Sequence, residues 1–257
     1  MIHVQQLDKS FGAVHAVRNL SFDVPAGELF CFLGPNGAGK TTTIKMLTGL
    51  LRPDRGVIRI GGHDIAADPV AAKTIMGYIP DMPFLYEKLT PVEFLKFIAD
   101  LYNLRDPATP RRIQESLLSF GLGEARSALI GDLSHGMRQR LLYIATFLHN
   151  PRVVFIDEPL IGLDPHSIRM IKDLLRQKVR GGMTILLTTH ILALAEEIGD
   201  RIGIISNGTL IALGRMDELR RQAGVEGKLE DVFLKLTSED TGTPTQGGAR
   251  PMLSIPN

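Results

Sequence analysis

Hydrophobic and polar residues alternate along Ile2–Leu7 and again along Val17–Val24, the period of half-buried strands. Pro25-Ala26-Gly27-Glu28 turns the chain into a third strand, Leu29-Phe30-Cys31-Phe32-Leu33, which is apolar throughout. A glycine-rich stretch follows, and then Ile44, Met46 and Leu47 mark a helix that Gly49 ends. Pro53-Asp54-Arg55-Gly56 is a turn, Val57–Ile60 a strand, Gly61-Gly62 another turn, and Thr74–Ile79 a strand that breaks at Pro80.

The period changes to helical from Asp81 to Asn150. Thr90-Pro91-Val92-Glu93 is a capping box with proline at the first helical position, and Phe94, Phe97, Ile98 and Leu101 follow at helical spacing. Asp106–Pro110 predicts a break. Ile113, Leu117, Leu118 and Phe120 predict a second helix ended by Gly121, and a third runs from about Gly136 to Leu148. Strands then resume. Val153–Ile156 and Thr184–Thr188 are continuous apolar or β-branched runs, suited to strands covered on both faces. An amphipathic helix, Ser167–Val179, lies between them and stops at Gly181-Gly182. Ala193–Ile198 is a short helix, and Arg201–Ser206 and Thr209–Leu213 flank Asn207-Gly208, a hairpin turn. Leu219–Leu236 holds a last helical pattern, and 237–257, rich in Thr, Gly, Pro and Ser, reads as a disordered tail.

Composition narrows the class. A chain of 257 residues, 44% hydrophobic and 22% charged, suits a soluble protein of one large α/β domain, or one domain with a subdomain. A formal net charge of +1 gives no electrostatic reason for a nucleic-acid partner. The lone cysteine, Cys31, excludes an internal disulfide and reads as a core residue. No apolar run approaches membrane-spanning length, and Met1-Ile2-His3-Val4-Gln5 lacks a signal core. The expectation is a cytosolic protein, or one attached to a membrane only through a partner.

The chemistry is concentrated in Gly34-Pro35-Asn36-Gly37-Ala38-Gly39-Lys40-Thr41-Thr42, which fits G-x-x-x-x-G-K-[ST] between a strand and a helix. Glycines let backbone N–H groups turn inward as an anion nest, and the helix aims its positive end at the same point. Lys40 supplies an ammonium for β- and γ-phosphates, and Thr41 a hydroxyl for Mg²⁺. Asp157 and Glu158 close a buried strand. Asp157 there suits a metal ligand, and Glu158 either polarises an attacking water or is a solvated loop residue. His190 ends another strand, where its imidazole either senses a γ-phosphate or is structural. Ser134 caps a helix and Gly136 lets an anion approach its N-terminus, a pattern many helices share. Phe11 either stacks on a base or covers the core edge.

Glycine-rich loop, helical insert, Leu133-Ser134-His135-Gly136, Ile156-Asp157-Glu158-Pro159, Gly162-Leu163-Asp164 and His190 stand in one order. Over residues 1 to 215 this resembles the nucleotide-binding subunit of ATP-binding cassette (ABC) transporters. The resemblance implies an α/β fold: a P-loop NTPase core with a mixed sheet, an N-terminal antiparallel β subdomain and an all-helical insert. Residues 1–80 and 151–215 would form the core with its β subdomain, 81–150 the helical subdomain, and 216–236 a C-terminal extension. It implies that 34–42 is the Walker A loop, Asp157 the Walker B aspartate, Glu158 the catalytic glutamate and His190 the switch histidine. Ser134 and Gly136 match the signature, Asp164 the D-loop, and Phe11 the base-stacking aromatic. Some positions depart from the pattern. Asp81 stands where the family has a loop glutamine, and its carboxylate can still meet Mg²⁺ or its water, a third candidate metal residue beside Thr41 and Asp157. His135 and Met137 replace two signature positions, and Ile161 replaces a D-loop serine.

With the Leu229–Leu236 helix, these variants look most like cassettes of drug, antibiotic or polysaccharide exporters. The resemblance further implies an ATPase using ATP and Mg²⁺, peripheral on the inner face of the cell membrane through a transmembrane permease subunit. It would pair head to tail with a second nucleotide-binding subunit, identical or not. Phe84, Leu85 and Tyr86 would line the groove for the permease or belong to the insert's core. A soluble cassette ATPase of an assembly process and a phosphoryl-transferring kinase are the rival readings.

Overall fold

The computed structural model describes residues 1–82, 84–158, 160 and 163–240. Its strands are β1 (Ile2–Phe11), β2 (Val14–Val24), β3 (Leu29–Leu33), β4 (Arg55–Ile60), β5 (His63–Asp64), β6 (Met76–Ile79), β7 (Val153–Asp157), β8 (Thr184–Thr189), β9 (Arg201–Ser206) and β10 (Thr209–Gly214). Its α-helices are α1 (Lys40–Leu47), α2 (Pro69–Thr74), α3 (Pro91–Leu101), α4 (Thr109–Ser119), α5 (His135–Leu148), α6 (Pro165–Arg180), α7 (Leu192–Ile198), α8 (Met216–Ala223) and α9 (Leu229–Asp240). Two sheets result. One is antiparallel, in the order β2-β1-β4-β5. The other is mixed, in the order β10-β9-β3-β8-β7-β6, with β9 to β6 parallel and β10 antiparallel at the edge.

The unbroken apolar run of β3 is explained by burial on both faces. Leu29, Cys31 and Leu33 point into a core closed by α6, α7, α8 and α9. Phe30 and Phe32 point the other way, into a core shared with α1 and the antiparallel sheet. There Phe22 stacks on both rings, with centroids 5.5 and 5.7 Å away. Cys31 is fully buried and its thiol is pushed far up by desolvation, so it acts as a small core residue.

A third core belongs to the helical stretch, where Phe94, Leu95, Ile113, Leu117, Leu141 and Ile144 meet. The solid apolar block on α5 follows from its position. Leu141, Ile144 and Leu148 face this core, while Leu142 and Tyr143 face the mixed sheet's core.

Several elements differ from the sequence expectation. Strand β6 begins only at Met76, because 69–74 forms α2: Asp68 caps it by accepting from the Ala71 N–H at 3.2 Å, and Pro69 opens it. The break expected over 106–110 ends sooner, since Pro110 sits in the first turn of α4. The pattern over 219–236 is two helices, parted at Gly224 with φ 65. Helix α9 runs on to Asp240, into the stretch expected to be unstructured. Residues 241–257, Pro159, Ile161 and Gly162 lie outside the described residues. Among those described, no helix is long and apolar enough to cross a membrane.

Candidate active site

Strand β3 lies between β8 and β9 in the mixed sheet although β4 to β7 intervene in sequence. Such a switch in strand order opens a crevice at the carboxyl ends of the strands. Register places the candidate residues along that edge: Leu33 pairs with Thr189, and Asp157 with Thr188. The loop after β3 is fixed by backbone geometry. The Gly34 N–H donates to the Thr189 carbonyl at 3.3 Å, and a Cβ on Gly34 would stand 2.4 Å from the Ile205 carbonyl oxygen. Gly39 has φ 102, with the Ala16 carbonyl 2.4 Å from its Cβ position. Neither position admits a side chain. Pro35, Asn36 and Gly37 are exposed, and Ala38 is buried beneath them.

Helix α1 starts at Lys40, and no side chain caps it among the described residues. Its first N–H groups, those of Lys40, Thr41 and Thr42 among them, have no intrahelical acceptor and carry the positive end of the helix dipole. The Lys40 ammonium is buried. It donates to the Gly34 carbonyl at 2.9 Å and the Pro35 carbonyl at 3.2 Å, and stands 3.4 Å from Glu158 Oε1.

Glu158 Oε2 lies 3.0 Å from His190 Nδ1, so Lys40, Glu158 and His190 form one chain of contacts across three strand ends. Glu158 itself adopts φ 49, a left-handed conformation uncommon for a residue with a side chain. Its N–H donates toward Thr188, whose carbonyl is 3.3 Å and hydroxyl 3.2 Å away. Asp157 is fully buried. Burial raises its carboxyl pKa, the Thr188 and Thr41 hydroxyls oppose the rise, and the nearby Asp81 and Glu158 charges add to it. Thr188 Oγ1 donates to Asp157 Oδ1 at 2.5 Å, whereas Oδ2 is buried without a hydrogen-bond partner among the described residues. An orphaned carboxylate oxygen beside a threonine hydroxyl fits a hard divalent cation with oxygen ligands.

Asp81 is exposed beyond β6 and accepts from the Met82 N–H at 2.8 Å. Phe11 ends β1 half-exposed, with the Lys9 ammonium 5.5 Å from its ring centroid. Ser134 caps α5 by accepting from the Met137 N–H at 3.3 Å. Among the described residues, a Cβ on Gly136 would meet only Leu163, at an ordinary packing distance of 3.7 Å. Among the described residues no hydrogen bond or ion pair joins Ser134–Gly136 to the glycine-rich loop. Thr188 escaped the sequence reading, although a threonine pair closing a fully buried strand was its visible signal.

Residues 17–161 match the family model described as ABC transporter. The ABC-type transporter ATP-binding protein EcsA of Bacillus subtilis (strain 168) is 35% identical over 243 residues, covering 94% of this chain and 98% of that protein. The daunorubicin/doxorubicin resistance ATP-binding protein DrrA of Streptomyces peucetius is 40% identical over 223 residues, covering 87% of this chain and 68% of that one. A solved ATP-binding subunit of an ABC transporter superposes with TM-score 0.87 at 37% identity, over 92% of this chain and 99% of that structure. The chain therefore belongs to the ABC transporter family, as one of its ATP-binding and ATP-hydrolysing subunits.

Proposed function

We propose that this cassette powers export of a substrate through a separate transmembrane subunit, with each ATP held between two cassettes arranged head to tail. The observation that carries the reading is the contact chain from Lys40 through Glu158 to His190, with Asp157 beside it. The loop 34–42 cradles the phosphates, and Lys40 exchanges its carbonyl and Glu158 contacts for β- and γ-phosphate oxygens. Thr41 and Asp157 would hold Mg²⁺, with Asp81 as an acidic neighbour, and the ion would supply charge neutralisation to the phosphates. Glu158, released from Lys40 and still oriented by His190, takes a proton from water. The water oxygen bonds to the γ-phosphorus as the bond to the β–γ bridging oxygen breaks, giving ADP and phosphate. His190 senses the γ-phosphate, and Phe11 stacks on the base.

Ser134 and Gly136 of the second cassette, identical or related, close the site. The absence of any link from Ser134–Gly136 to this chain's own loop among the described residues supports that division. Docking on the permease is supported by an exposed apolar patch: Phe84 is 91% and Tyr86 59% exposed, and Tyr86 packs edge-on against Phe97 with centroids 5.5 Å apart. Leu85, by contrast, packs into the cores. The export direction draws support from the name of the drug-resistance relative. A membrane-peripheral position on the cytoplasmic face, with no nucleic-acid partner, completes the reading.

The test is Glu158→Gln. ATP binding is retained, turnover falls at least roughly 100-fold, the usual scale for losing a general base, and an ATP-bound dimer accumulates in analytical ultracentrifugation. Hydrolysis at the parent rate would overturn the base assignment.

A further inference from the structure

We infer that Thr188 is a positioning residue whose one hydroxyl sets both carboxylates of the site; the inference rests on the ATPase reading above. Thr188 is fully buried on β8, directly opposite Asp157 on β7. Its Oγ1 donates to Asp157 Oδ1 at 2.5 Å, and the same oxygen stands 3.2 Å from the Glu158 backbone nitrogen, whose N–H it accepts. A hydroxyl has one proton and two lone pairs. Donation to Asp157 therefore leaves only its acceptor side for Glu158, and the two contacts fix each other's direction.

Each contact has a consequence. With Oδ1 satisfied, the Asp157 carboxylate leaves Oδ2, which has no hydrogen-bond partner among the described residues, as its free oxygen for a cation. At Glu158, the N–H bonds to Thr188 pin a backbone at φ 49 that a residue with a side chain otherwise disfavours. That conformation is the one in which the side chain reaches both Lys40 and His190. Burial alone asks for no hydroxyl here, since Ile185, Leu186 and Leu187 fill the same strand. The neighbouring Thr189 serves the turn after β8 instead, where its Oγ1 accepts from the Ile191 N–H at 3.0 Å.

The experiment compares Thr188→Val, which keeps the shape and removes the hydroxyl, with Thr188→Ser, which keeps the hydroxyl. Binding of the fluorescent nucleotide mant-ADP is measured in Mg²⁺ and in EDTA, beside kcat and KM for ATP. Thr188→Val should bind mant-ADP in EDTA as the parent does. Its Mg²⁺-dependent gain in affinity and its kcat should each fall roughly 10–100-fold, the usual cost of losing a partner behind a metal ligand. Thr188→Ser should restore both. The assignment is overturned if Thr188→Val matches the parent, if it loses affinity equally in EDTA, or if Thr188→Ser behaves like Thr188→Val. Should Thr188→Val not purify folded, Thr188→Ala replaces it with the same expectations. A parent protein without ATP turnover would defeat the underlying reading instead, so the two failures are distinguishable.

Discussion

In the site proposed above the Lys40 ammonium receives a phosphate, yet it is already engaged by two loop carbonyls and by Glu158. Nucleotide binding is therefore an exchange of partners rather than the capture of a free charge, which softens the net gain. Lys40→Ala is expected to weaken ATP binding by about 1.5–3 kcal/mol, the range for hydrogen bonds to a charged group. Isothermal titration checks this, and an unchanged affinity would remove Lys40 from the phosphate site. At this scale the sequence was most legible where the candidate site is defined by spacing along the chain. The loop residues, Asp157 and Glu158 could be picked out because their types and order are themselves the signal. The reasons behind them were not legible. Gly34 and Gly39 are required by the Ile205 and Ala16 carbonyls, and Thr188 meets Asp157 across 31 residues of chain. Contacts of that separation exist only once the sheet has formed.

At the scale of elements, long patterns survived, while one short helix did not. Helices α3, α5 and α6 were foreseen because several turns of apolar spacing and a cap point the same way. Helix α2 was missed: it is six residues long, and the β-branched residues in Thr74–Ile79 suggested strand. Its Asp68-Pro69 start was the overlooked sign, and Ala72, fully buried, anchors it. The capping box of α3 offers a clean test. The Glu93 carboxylate accepts from the Thr90 N–H and hydroxyl, each at 2.8 Å, while the Thr90 hydroxyl accepts from the Glu93 N–H at 3.3 Å. Thr90→Ala should lower stability by about 1 kcal/mol in urea unfolding with little change in turnover. The Thr90 contacts hold the Glu93 pKa below its ordinary value, so their contribution is present above about pH 4.3 and fades as pH falls through the depressed value. A variant as stable as the parent at neutral pH would contradict the cap.

For the whole molecule, the question is how a helical unit with its own core is tied to the sheet that holds the site. One tie is His149, at the end of α5. Its ring stacks on Tyr102 with centroids 3.7 Å apart, and its Nε2 stands 3.1 Å from the Met76 carbonyl on β6. Burial lowers the His149 pKa and the Met76 bond only partly opposes this, so the neutral ring is favoured in the fold. The unfolded chain then binds the extra proton, and stability should decline as pH falls below the ordinary imidazole value of 6.5. His149→Phe should flatten that part of the stability–pH curve, and an unchanged slope would discount His149.

The same separation of units leaves the glycine-rich loop and the Ser134–Gly136 turn unjoined within one chain, among the described residues. Composition of the catalytic site from two chains is tested most directly by mixing two disabled proteins. Lys40→Ala removes the loop's lysine, and Gly136→Asp blocks the turn with a charge. Neither should hydrolyse ATP alone. Mixed, they form some pairs in which an intact loop faces an intact turn, and turnover is predicted to reappear in proportion to those pairs. A mixture no more active than the sum of its parts would contradict a site shared between two chains.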